Sequence, residues 1–108
     1  MWAQLMRTTM RPGLDAAEAA DRIRAVHEQV RAAEQEGSGL VRTLVMGDQR
    51  DPHEVYALVV FESEEKARVR ERDPRRGEQL GAARAAMADL YEGAPDFTDL
   101  VVIGEWAD

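Results

Sequence analysis

Apolar residues return along this chain with two different spacings, and the switches between those spacings divide it into strands and helices. Trp2 to Met10, with Thr8 and Thr9, is a β-type run. Arg11-Pro12-Gly13 ends it, because Pro cannot continue a ladder and Gly permits positive φ. Ala16, Ala19, Ala20, Ile23, Val26, Val30 and Ala33 then share one helical face, with Asp21, Arg24, Glu28, Arg31 and Gln35 opposite. Asp15 and Glu18 fit a capping box at the start of this helix, and Gly37-Ser38-Gly39 closes its end. Leu40 to Met46 and Val55 to Phe61 read as strands, and the short polar connection Gly47 to Glu54 predicts an antiparallel hairpin. Ser63 is a natural N-cap for a second helical region reaching about Tyr91, broken at Asp73-Pro74 because Pro lacks the amide hydrogen a helix interior needs. Leu80, Ala83, Met87, Leu90 and Tyr91 keep helical spacing, Gly93-Ala94-Pro95 stops the helix, and Thr98 to Trp106 is the last expected strand. The order is βαββαβ. It predicts an α+β, ferredoxin-like fold, an antiparallel four-stranded sheet with two helices on one face, in which residues 1–108 form one domain.

Such a sheet carries more apolar surface than two helices can hide. Val55, Ala57, Val59 and Phe61 point to one side of the third strand and Tyr56, Leu58 and Val60 to the other. The second strand repeats the pattern, with Leu40, Leu44 and Met46 against Val41 and Val45. So does the fourth, with Leu100 and Val102 against Val101 and Ile103. The uncovered side amounts to an apolar patch on the order of several hundred Å², which soluble monomers rarely expose. A homodimer through the open sheet face is therefore expected, closed two-fold dimers being the commonest assembly.

Charge and composition act mainly by exclusion. The formal net charge is -7, and no stretch concentrates Lys and Arg without Asp and Glu among them. A phosphate backbone is repelled overall, so no nucleic-acid partner is expected. The most basic stretch, Arg68 to Arg76, contains Glu71 and Asp73 and reads as a solvated helix face. Cys is absent, which excludes disulfides, thiolate nucleophiles and Cys-based metal sites. The opening MWAQLMRTTMRPG has no basic start leading into an apolar run, and no segment reaches bilayer-spanning length. A cytoplasmic protein with no membrane partner is the expectation.

Three features together resemble the antibiotic biosynthesis monooxygenase family: a first strand ending in Arg11-Pro12-Gly13, the loop Gly37-Ser38-Gly39 before the second strand, and VFESEEKA from Val60 to Ala67. The likeness spans nearly the whole chain. Members are small dimeric α/β-barrel proteins that include cofactor-independent quinone-forming oxygenases and haem-degrading enzymes. The resemblance implies a cleft in each subunit between the sheet and its helices, with the barrel interior as the dimer contact. It also implies that Phe61, matching an aromatic at the end of strand three, lines that cleft from the helix-facing side. Arg70 stands where many members place a His on the second helix, which removes a possible acid or haem ligand. Met6 lies near the strand-one position where the haem-degrading members carry Asn. Both departures weaken a haem-oxygenase reading.

Against that cleft, His27 is the sharpest candidate for acid–base chemistry, since it lies on the apolar stripe of the first helix near Ile23 and Val30. The plainer reading is a core histidine. Glu34 lies on the same stripe but two turns on, too far for a direct hydrogen bond. Met6, Phe61, Met87 and Tyr91 suit the walls of an apolar pocket for a flat aromatic ligand, with Tyr91 and Gln4 as polar handles, although ordinary packing explains them as well. His53, beside Glu54 and near Asp48 and Asp51, fits neither a calcium loop nor a zinc motif and reads as solvated loop, so no metal is expected. Arg42 either points towards the dimer side, where it needs a carboxylate, or reaches water from a strand edge. No nucleophile elbow, P-loop or dinucleotide fingerprint is present, and no cofactor is expected. Two functions remain open, beside a purely structural dimer module should no pocket exist. One is a cofactor-independent monooxygenase acting on a small aromatic or quinoid compound, and the other a non-catalytic binder or carrier of a small hydrophobic molecule.

Overall fold

A computed structural model describes residues 1–108. Its elements are β1 (Trp2–Thr9), α1 (Ala16–Ala32), β2 (Leu40–Gly47), β3 (Glu54–Phe61), α2 (Glu64–Arg72), α3 (Pro74–Gln79), α4 (Gly81–Leu90) and β4 (Asp96–Val101). The strands pair antiparallel in the order β2-β3-β1-β4, which is the ferredoxin-like arrangement expected from the sequence. No helix is long and apolar enough to cross a membrane.

Local chemistry accounts for most of the boundaries. The Ser63 side chain accepts the Lys66 amide at 3.2 Å and starts α2. Asp73 closes α2 and caps α3 by accepting the Arg75 amide at 3.0 Å, with Pro74 in the first helical position, where its missing N–H costs nothing. The expected capping box at Asp15 does not form. Asp15 and Glu18 are both exposed, water can serve the free amides, and only the Asp15 carbonyl takes part, accepting from Ala19 at 2.8 Å. A second break, which the periodicity hid, falls at buried Leu80 between α3 and α4. Gly77 and Gly81 flank it, and their weak helix preference lets the axis change direction there. The expected pair of helices is thus α1 and a region in three pieces that ends at Leu90.

Two strand expectations are also corrected. β4 stops at Val101 rather than Trp106: it pairs only with β1, Val101 faces Trp2, and a last backbone contact from the Val102 amide to the Met1 carbonyl at 3.3 Å ends the pairing. β2 has an irregularity at its start: Leu40 pairs with Phe61 but Arg42 pairs with Val60, so Val41 is an extra residue. Leu40 consequently turns to the helix side and packs against Trp2 and Phe61, instead of sharing a face with Leu44 and Met46.

Register puts Gln4, Met6, Ala57, Val59, Phe97 and Asp99 on the helix side, and Leu5, Leu44, Met46, Leu58, Val60 and Leu100 on the other. Two separate clusters hold the helices to the sheet. Met10, Ala19, Ile23 and Leu90 join α1 and α4 at one end, while Trp2, Phe61 and Ala67 seat α2 at the other.

Gly39, just before β2, has φ +83, and a Cβ there would come within 2.8 Å of the Lys66 Cβ. We expect Gly39→Ala to cost about 1–3 kcal/mol, lowering the melting temperature by about 4 °C or more. Gly81→Ala, with open space around it, should change stability by no more than about 1 kcal/mol and in the favourable direction. Thermal denaturation of the two variants followed by circular dichroism checks both.

Candidate functional site

Between the two clusters the helices do not close on the sheet, and an open cleft of about 1540 Å³ remains. Gln4 and Met6 from β1, Ala57, Val59 and Phe61 from β3, Val45 from β2 and Phe97 from β4 form its floor. Val26, His27, Val30 and Glu34 come from α1 and its end, Arg70 from α2, and Leu80, Ala83, Met87 and Tyr91 from the last helical pieces. All six residues singled out in the sequence, Gln4, Met6, His27, Phe61, Met87 and Tyr91, lie on this one cavity. Their contributions differ. Phe61 is 4% exposed and packs against Trp2 with ring centroids 6.0 Å apart, so it belongs mainly to the core. Phe97, which the strand reading passed over, is 58% exposed and offers far more aromatic surface.

The polar groups fall into distinct settings. Gln4 donates to Asp99 at 3.1 Å, Asp99 accepts from Arg68 at 2.8 Å, and the Arg68 guanidinium lies 5.0 Å from the Trp2 ring centroid. His27 is half-buried, and burial alone lowers its pKa from 6.5, leaving a neutral imidazole at pH 7. Tyr91 directs its hydroxyl at the Met87 sulfur, 3.6 Å away. Burial raises the phenol's pKa, Thr8 opposing it by hydrogen bonding, and the group stays a proton donor.

Arg70 gives the site its firmest polar anchor. Its Nε and Nη2 donate to both Glu34 oxygens at 2.8–3.0 Å, the two side chains being 11% and 16% exposed, and its guanidinium lies 5.2 Å from the Phe61 ring centroid. Burial tends to raise the Glu34 pKa, but the Arg70 hydrogen bonds and charge, helped by Ser38, bring it below the usual value. The expected solvated helix face thus fails for three residues of the basic stretch. Arg68 and Arg70 cover aromatic rings and Arg76 is half-buried, whereas Arg72 and Arg75 are exposed. The spacing of Glu34 and Arg70, on segments 36 residues apart, gave no local signal of their pairing.

The remaining candidates lie elsewhere. His53 sits in the hairpin loop 3.8 Å from Asp51, and Asp48 accepts the Arg50 and Asp51 amides. No group of three or more His, Asp or Glu side chains is gathered to hold a metal ion. Arg42 is exposed on the edge strand β2, on the open-face side by register.

This geometry has close counterparts among solved structures. A candidate antibiotic biosynthesis monooxygenase from Nitrosomonas europaea superposes with a TM-score of 0.70 at 13% identity, covering 96% of this chain and 100% of that one. A variant of SnoaB, a cofactor-independent oxygenase from Streptomyces nogalater, gives 0.66 at 14% identity over 99% and 97% of the two chains. Rv0793 from Mycobacterium tuberculosis gives 0.66 at 17% identity over 98% of each. The chain has the antibiotic biosynthesis monooxygenase fold. No protein-family model matches the sequence, and no curated protein does. At these identities the likeness establishes architecture, and chemistry has to be argued from the side chains.

The depressed Glu34 pKa makes the Arg70 pair a stabilising contact at neutral pH, lost as pH falls through the folded-state value below the ordinary 4.5. We expect Glu34→Gln, which leaves Arg70 partly buried without its carboxylate, to destabilise by about 1–3 kcal/mol at pH 7. The gap between wild type and Glu34→Gln should narrow as pH drops below 4.5. Urea denaturation at pH 7 and pH 3.5 measures it.

Proposed function

We propose that the chain forms a homodimer through its open sheet face and that each cleft binds a small aromatic or quinoid compound, which it oxidises as a cofactor-independent monooxygenase. The observation carrying this reading is the cleft itself. Met6, Val59 and Phe97 offer an apolar floor for a flat ring, and neutral His27 and the Tyr91 phenol supply a proton acceptor and a donor on its walls. In such a reaction His27 takes a proton from a phenolic or similarly acidic substrate, and the electron-rich anion donates electrons to oxygen. For a ring CH₂ converted to a carbonyl, one oxygen atom enters the product and the other leaves as water with the two hydrogens. The apolar floor of the cleft orients the ring during this step. SnoaB, with the same fold, is a cofactor-independent oxygenase, which supports the assignment.

A second reading, a non-catalytic binder of the same kind of ligand, is favoured by one feature. Burial alone shifts the His27 pKa, with no neighbouring charge or hydrogen bond contributing, so no orienting partner assists it. Oxygen uptake with a panel of anthrones and dihydroxynaphthalenes separates the two. If the enzyme reading is right, His27→Ala lowers kcat/KM by about 10²–10⁴-fold. In wild type the acid limb of the pH profile then has its midpoint below 6.5, because the lowered pKa keeps the base free to lower pH. Retention of a panel compound without oxygen consumption supports the binder.

The dimer rests on the uncovered side of the sheet, where Leu44, Met46 and Leu100 are each about two-fifths exposed and Leu58 lies between Leu5 and Leu44. Light scattering is expected to report twice the 12.1 kDa chain mass, and Leu58→Glu, which places a charge in the middle of this patch, is expected to return 12.1 kDa with the fold retained. A wild-type monomer at micromolar concentration rejects this assembly.

A further inference from the structure

The charge on the cleft opposes the charge on the rest of the molecule. The chain as a whole carries -7, with 14 basic and 21 acidic residues. Leaving aside Arg42, which register turns to the open face, six of those basic residues, all Arg, line the cleft, against five of the acidic ones. Several of these arginines have visible duties: Arg70 is bound to Glu34, Arg68 to Asp99, and Arg11 to the Tyr91 and Ala88 carbonyls. Arg31, Arg76 and Arg84 take part in none of the ion pairs or side-chain hydrogen bonds, which leaves their charge available to the cavity they line.

Arg76 is the sharpest of the three. It is half-buried on α3, and its Nε is shielded from solvent yet has no hydrogen-bond partner. A buried N–H left unpaired is costly, and a guanidinium donor more so. Burial first, and then the like charges of Arg70 and Arg84, disfavour its charged form, with Glu34 and Glu71 acting in the opposite direction. The Arg84 Nη1 lies 4.0 Å from a Cβ position on Gly77, the residue after Arg76, so a second unpaired guanidinium approaches the same turn of α3. A planar oxyanion fits this arrangement, because a guanidinium presents two parallel N–H donors to a carboxylate.

We infer that the cleft takes a carboxylate-bearing aromatic ligand, its ring on the apolar floor and its carboxylate held by Arg76 and Arg84. This rests on the cleft being the ligand site proposed above, and it adds the chemical class. The site then distinguishes an aromatic acid from the corresponding neutral phenol.

The test uses 1-naphthoate and 1-naphthol as matched probes, titrated into the full chain by isothermal calorimetry. Wild type is expected to bind 1-naphthoate at least tenfold more tightly than 1-naphthol, with the preference shrinking as NaCl rises. Arg76→Gln and Arg84→Gln are expected to abolish most of that preference while leaving 1-naphthol affinity unchanged. Arg84 is exposed, so its variant keeps the fold even if the Arg76 variant does not. Equal affinity of wild type for the two probes, or a preference that survives both substitutions, overturns the inference and leaves the cleft as a ligand site. Binding of neither probe overturns both.

Discussion

Four strands of largely apolar residues need covering on two sides, and α1 with the segmented α2–α4 region covers only part of one. That shortage governs how the molecule is held together. Instead of one continuous core there are two anchors, Met10 with Ala19, Ile23 and Leu90 at one end and Trp2 with Phe61 and Ala67 at the other. A cavity between them is the geometric consequence, and its floor runs from Met6 and Ala57 to Phe61, where it meets the second anchor. Small residues recur at the anchors, Ala19 and Ala67 among them, and let helix backbone approach the sheet closely where contact is made.

Charge enters where packing leaves off. The Glu34–Arg70 pair joins the end of α1 to α2 across the mouth of the cavity, and the Arg70 guanidinium also lies over Phe61. One side chain therefore links the polar rim to an apolar anchor. The Gln4–Asp99–Arg68 chain performs a comparable task on the other side, tying β1 and β4 to α2 and ending over Trp2. Arginine suits both positions, since its flat group stacks on rings and still makes directed hydrogen bonds.

Element order, strand pairing and the position of the Pro74 break were readable because each rests on local chemistry: alternation, turn residues, a cap. The face of Leu40 was not readable. Strict alternation places it beside Leu44 and Met46, and a single extra residue at Val41, which has no signature in the sequence, moves it to the opposite side. The joint at Leu80 escaped because Leu80 itself keeps helical spacing, which masks the break that Gly77 and Gly81 flank. His27, Met87 and Tyr91 were placed on the cavity by helical spacing, whereas Phe61 was placed there by the family resemblance and Gln4 was named only as a polar handle for a ligand. The arginines opposite were missed because interleaved Glu71 and Asp73 give Arg68 to Arg76 the look of an exposed face, and the ring and carboxylate that draw individual guanidinium groups inward belong to distant segments.

The extra residue at Val41 has a further effect on what β2 can do as the end of the sheet. Its outer rim carries free amide and carbonyl groups along a run rich in Val, Leu and Met, the sort of border on which additional chains can template indefinitely. By interrupting the regular spacing of those groups and increasing the local twist, the bulge spoils the match with any incoming straight strand, and the charge on Arg42 lies next to the same point. The irregularity that misdirects a reading of the pattern thus also makes this border a poorer template for edge-to-edge pairing.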